Sequence, residues 1–102
     1  MSFDESQFHE IADELLDGLF DQLEDAIGDA ADVDLQDGIL EIELDAGGTY
    51  IINKHAPNKQ IWMASPKSGA THYDYKDGQW IGTRDDANFL ERLSAELNAP
   101  LS

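Results

Sequence analysis

The chain has 102 residues, enough for one domain (1–102) and not two. Its 22 Asp and Glu against 6 Lys and Arg give a formal charge of -16, which argues against nucleic acid and anionic membranes as partners, since both attract basic surfaces. Hydrophobic residues make up 41%, so a core can form despite the charge, and the absence of cysteine removes disulfides, thiolate metal sites and thiol catalysis.

Acidic residues begin at Asp4 with no basic leader before them, so neither a signal nor a transit peptide is predicted and a cytoplasmic location is expected. The longest stretch free of Asp, Glu, Lys and Arg, 46–53, has 8 residues, well short of the ~20 that a membrane helix needs. The charge is unevenly placed. Residues 1–53 hold 16 acids and no base, while 54–102 hold 6 of each.

A long helix comes first. Phe8, Ile11, Ala12, Leu15, Leu16, Leu19, Phe20 and Leu23 follow helical spacing, and Ser2 with Glu5 reads as a capping box. Glu10, Asp13, Glu14, Asp17, Asp21, Glu24 and Asp25 fill the opposite half of the wheel with no base among them. Their like-charge pairs three and four apart should oppose the helix by roughly 1.5–3.5 kcal/mol before salt screening. Interspersed Lys would give solubility without that repulsion, which favours a cation- or partner-binding surface over a merely solvated face. Gly28 is the predicted helix end, after which Asp29, Asp32, Asp34 and Asp37 continue the acidic series.

From Asp32 the period drops to two: Val33 and Leu35 alternate with acids, Asp37-Gly38 is a hairpin turn, and Leu40, Ile42 and Leu44 alternate with Glu41 and Glu43. The helix end and these strands can share one anionic ridge. Further strands are predicted over 49–54, 59–64, 71–75 and 79–81, with Gly47-Gly48 as a turn, a loop over 55–58 and a hairpin at Asp77-Gly78. A last helix from about Asp86 carries Phe89, Leu90, Leu93 and Leu97 on one stripe and stops near Asn98 and Pro100. The predicted class is α+β: a two-layer sandwich in the order α-β-β-β-β-β-β-α, with two helices on one face of a mainly antiparallel six-stranded sheet. With Ile61 and Met63 facing the helices, Trp62 is exposed on the open face as a candidate binding anchor, and Trp80 belongs to the core.

Tyr50-Ile51-Ile52-Asn53-Lys54, then Pro57-Asn58-Lys59-Gln60-Ile61-Trp62-Met63-Ala64-Ser65-Pro66, then Ser68-Gly69 and His72-Tyr73-Asp74, resemble the central sheet signature of the frataxin family. Phe8-His9 and Ala12-Asp13 in the acidic opening helix are similar to its bacterial, CyaY-type members. The resemblance implies an iron-binding adaptor of iron–sulfur cluster assembly that binds Fe(II) or Fe(III) weakly and docks on the cysteine desulfurase and the scaffold protein. It implies an iron ridge at Asp17, Asp21, Glu24, Asp25, Asp29, Asp32 and Asp34, and docking positions at Asn58, Lys59, Gln60 and Trp62. His72 stands where many relatives have a basic residue, Tyr75 where they have Trp, and Phe20 where a bacterial relative can have an acid.

Carboxylates are hard oxygen donors suited to iron and to other divalent cations, and a ridge of separated carboxylates cannot close a tight cage. Modest affinity and fast exchange follow, which favour delivery or sensing over storage and predict a non-enzymatic monomer. One alternative is a ferroxidase that assembles into iron-loaded oligomers, although the Glu-x-x-His pattern of di-iron bundles is missing: His9 precedes Glu10, and His55 and His72 fall on a loop and a strand. The other is an acidic interaction protein that needs no metal. The three His are read as surface or core residues and not as ligands.

Overall fold

The computed structural model describes residues 4–101. Helix α1 (Glu5–Ile27) is followed by strands β1 (Ala31–Gln36), β2 (Ile39–Leu44), β3 (Thr49–His55), β4 (Gln60–Ser65), β5 (Gly69–Lys76) and β6 (Gln79–Gly82), and then by helix α2 (Phe89–Leu97). All neighbouring strands pair antiparallel and lie in chain order from β1 to β6. Both helices cover one face of this sheet, as the two hydrophobic periods require.

The core is where those periods meet. Phe8, Ala12, Leu16, Leu19 and Leu23 of α1 and Phe89 and Leu93 of α2 are buried against Leu40, Ile42, Tyr50, Ile52, Ile61, Met63 and Tyr73 from alternate strand positions. Burial of each such side chain contributes about 1.5–3 kcal/mol relative to exposure. Trp80 joins the core at the β6 edge, edge-on to Phe8. The intervening strand residues, Glu41, Glu43, Ile51 and Ala64 among them, face water on the other side. No helix among the described residues is long and apolar enough to cross a membrane.

Two hairpins are tight because their turn residues adopt left-handed backbone: Asp37 and Gly38 at φ 53° and 76°, Asp77 and Gly78 at 50° and 80°. Gly38 has a second constraint. The Lys54 side chain crosses it so closely that a Cβ there would lie 2.7 Å from Cε, and Lys54 Nζ continues to Asp13 Oδ1 at 2.7 Å. That ion pair ties β3 to α1 and neutralises one acid of the helix face within the chain itself.

Several boundaries differ from expectation. The capping box of α1 is Asp4 with Gln7: Asp4 Oδ1 accepts from the Gln7 N–H at 2.8 Å, and Gln7 Oε1 accepts from the Asp4 N–H at 3.2 Å. With Asp4 as the cap, Glu5 is the first helical residue and not the N3 residue that a capping box needs, and Ser2 lies outside the described residues. Helix α2 starts at Phe89 and not near Asp86, because Asp86 has φ 57° and Asn88 is the cap, its Oδ1 accepting from the Glu91 N–H at 3.1 Å. The predicted loop over 55–58 contains a 3-10 turn, Ala56–Asn58, and β5 is longer than its alternating stretch at both ends.

Candidate metal ridge and docking face

The acidic positions are all reachable by solvent. Asp17, Asp21, Glu24 and Asp25 lie on the outer side of α1, Asp29 in the turn after it, and Asp32 and Asp34 on β1; all seven are exposed. Val33 and Leu35 pack towards the core, so the two-residue period turns Asp32 and Asp34 to the open face of the sheet. There they stand directly opposite Glu43 and Glu41, acids of the second strand that the sequence places on the shared ridge but not among the iron positions. The acids therefore flank the β1 edge from two sides, one group over the helix layer and one on the sheet. Like charges directly opposite across strands are unfavourable, as they are along α1. Among the described residues, no three carboxylate or imidazole groups converge as a set able to hold a metal ion. The arrangement suits hard cations held loosely by one or two side chains and water.

The positions assigned to docking lie on the other half of the sheet. Asn58 is exposed at the end of the 3-10 turn, and Lys59, in left-handed backbone at φ 52°, re-enters the sheet with its N–H on the Ala56 carbonyl at 3.1 Å. Gln60 and Trp62 project from alternate positions of β4 onto the open face, as expected, but Trp62 is half-buried. His55 stacks on one side of its indole at 3.7 Å between ring centroids and His72 on the other at 4.1 Å. The Trp62 Nε1–H donates to Gln60 Oε1 at 2.8 Å, and Gln60 Nε2 donates to Asp74 Oδ1 at 2.9 Å. A shallow cavity of about 150 Å³ adjoins this array, lined by Ile51, Asn53, Ala64, Ala70 and the Trp62 and His72 rings. Sequence reasoning missed the role of His55 and His72. The parity of the strands, which puts both on the same face as Trp62, was the available signal.

A third cluster closes the end of the sandwich. Glu96 Oε1 accepts from the Tyr50 hydroxyl at 3.0 Å and the Ser65 hydroxyl at 2.5 Å, and Oε2 accepts from the Ser68 hydroxyl at 2.7 Å. Lys67 Nζ donates to the Glu96 carbonyl at 2.7 Å. Burial acts to raise the Glu96 pKa, but hydrogen bonds from Ser65, Ser68 and Tyr50 outweigh it and hold the carboxyl below its usual range. Burial first, and then the bond to Glu96, push the Tyr50 phenol up to about 12. The cluster anchors α2 to the sheet.

Comparison with known proteins agrees with the fold. The chain is 41% identical over 101 residues to the mitochondrial frataxin homologue of Saccharomyces cerevisiae, covering 94% of this chain and 58% of that protein, so it spans about three fifths of the relative's length. Frataxin from Psychromonas ingrahamii, of the CyaY protein family, superposes with a TM-score of 0.83 at 33% identity, over 92% of this chain and 88% of the other. Trimeric frataxin from the same yeast, complexed with ferrous iron, superposes with a TM-score of 0.74 at 38% identity, over 96% and 86%. The frataxin-like domain family matches residues 1–102 in full. Matched by the family model along its whole length, and by relatives and solved structures of the same name, the chain belongs to the frataxin family.

Proposed function

We propose that this protein is an iron-binding adaptor that regulates iron–sulfur cluster assembly, carrying Fe(II) or Fe(III) weakly on its acidic residues and docking on the cysteine desulfurase–scaffold complex. Family membership carries this reading, and the yeast relative complexed with ferrous iron supports iron as the cargo. The donor chemistry fits: Asp17, Asp21, Glu24, Asp25, Asp29, Asp32 and Asp34 are exposed hard-oxygen groups, and without a closed ligand set iron exchanges quickly. An adaptor needs that exchange, whereas a store does not. The protein is read as non-enzymatic. It is also read as of the bacterial type and cytoplasmic, which the Psychromonas neighbour supports, while the mitochondrial yeast relative marks the other branch.

Docking divides between the two faces. The acids of α1 steer the chain to a basic surface on the desulfurase, and Asn58, Lys59, Gln60 and Trp62 meet the scaffold protein. The test is binding to the desulfurase at low and high salt, with and without Fe(II), for the parent chain and for the triple variant Asp21→Lys, Glu24→Lys, Asp25→Lys. The parent should bind at least tenfold tighter at low salt and the variant should lose that advantage. Equal binding by the two chains at low salt would sink the steering role of the ridge.

A further inference from the structure

The ring sandwich on the open sheet face is a more demanding arrangement than an exposed Trp requires. Its three planes are nearly parallel, 8° between His55 and Trp62 and 10° between Trp62 and His72, so both faces of one indole are covered. Register delivers the two imidazoles by different routes. His72 is directly opposite Trp62 across the β4–β5 ladder, whereas His55 is opposite Gln60 and reaches the indole on the diagonal, from the last position of β3.

His55 holds its place at some expense. Its Nδ1 is buried and is the sole such side-chain atom without a hydrogen-bond partner among the described residues. A buried polar atom left unpaired is unfavourable, so the ring is kept there by its stack and not by its nitrogens. The indole, for its part, has both faces and its N–H engaged, the last through Gln60 to Asp74. Such a ring has little rotational freedom left to lose when a partner arrives, and that loss is a substantial part of what weakens association.

We propose that His55 and His72 are positioning residues for Trp62, clamping the indole in its docking orientation before the partner binds. The proposal rests on the reading that this face meets the desulfurase–scaffold complex. The charged groups bordering the clamp have both signs: Asp74 two residues along β5, Lys54 and Lys59 flanking His55 and the 3-10 turn, and Arg84 and Asp85 lining a cavity with His72. Lys54 is directed away to Asp13.

A ring held between two parallel aromatic planes keeps one orientation, so the clamp can be read out spectroscopically. The Trp62 indole N–H resonance is followed in the otherwise unaltered chain, in the variant His55→Ala, His72→Ala, and in the variant His55→Phe, His72→Phe. The parent and the Phe variant should each show one sharp signal, and the Ala variant should show the shifted signal of a mobile ring. Affinity for the desulfurase–scaffold complex is measured on the same three proteins. We expect a loss of about tenfold for the Ala variant and retention within about threefold for the Phe variant. Parent-like binding by the Ala variant would overturn the proposal, as would equal losses in the Ala and Phe variants, because then the stack is not what matters. If the parent does not bind the complex at all, the proposed function falls, and the clamp is judged on the resonance: a parent signal unmoved by the Ala substitutions rejects it.

Discussion

Glu96 and Tyr50 are shifted in opposite senses, so the one contributes to the acid limb and the other to the alkaline limb of stability against pH. A carboxyl whose pKa is lower in the folded chain contributes stability above its unfolded pKa and loses it as pH falls through the folded value. Glu96→Gln should therefore flatten the acid limb of a plot of urea midpoint against pH, while Glu96→Ala, which strands the Tyr50 hydroxyl in the core, should lower stability at pH 7 by about 2 kcal/mol. Tyr50 has the reverse sign. Its pKa is raised from 10.0 to about 12, so its contribution is complete below pH 10 and is lost as pH rises towards 12. The loss amounts to roughly 2–3 kcal/mol and should vanish in Tyr50→Phe, checked by denaturation at pH 8 and pH 11.5. At His55 the unpaired Nδ1 makes a different prediction: His55→Phe keeps a ring against Trp62, removes the buried nitrogen, and should raise stability by about 1 kcal/mol. The roles of Glu96 and Tyr50 are not visible in a linear sequence, because each depends on which distant hydroxyl the register brings alongside, and for His55 strand parity gives the face but not the ring it stacks on.

At the scale of the element, α1 carries charge repulsion that a single substitution can relieve. Asp17→Lys removes like-charge pairs with Asp13, Glu14 and Asp21 and replaces them with attractive ones, so it should stabilise by about 1 kcal/mol, measured as a higher urea midpoint at low salt that narrows at high salt. Most of the elements were readable because their periods are clean: the alternation of Leu40, Ile42, Ile52, Ile61 and Met63 with polar residues fixed both the strands and the buried face. The errors came where two local signals compete. Ser2-x-x-Glu5 and Asp4-x-x-Gln7 both satisfy the capping-box pattern, and only the start of the helical bonding chooses between them. Asp86 looks like a helix cap in sequence, but the turn formed by the Gly82 N–H on the Ala87 carbonyl forces it into left-handed backbone and defers the helix to Asn88. The acidic series was legible as composition. Its division across the β1 edge was not, since that follows from which strand face Val33 and Leu35 bury.

For the molecule as a whole, a charge of -16 concentrated before Lys54 works against compactness and against its own kind. Added monovalent salt should raise the melting temperature by several degrees, and a divalent cation at millimolar concentration should raise it further if the acids bind it. The sheet gives that charge one more consequence. Its strands run in chain order, so β1, with six residues, stays open along its outer side, where its exposed positions Asp32 and Asp34 are anionic, whereas the outer side of β6 is bridged at Ile81 by Asn88. An unpaired strand of that length invites a second chain to continue the sheet, and charged side chains are what discourage it. Neutralising the carboxylates beside β1, by protons near the isoelectric point of about 4.1 or by a cation, should therefore promote strand-by-strand self-association, seen as growth in light scattering that Asp32→Lys and Asp34→Lys alter.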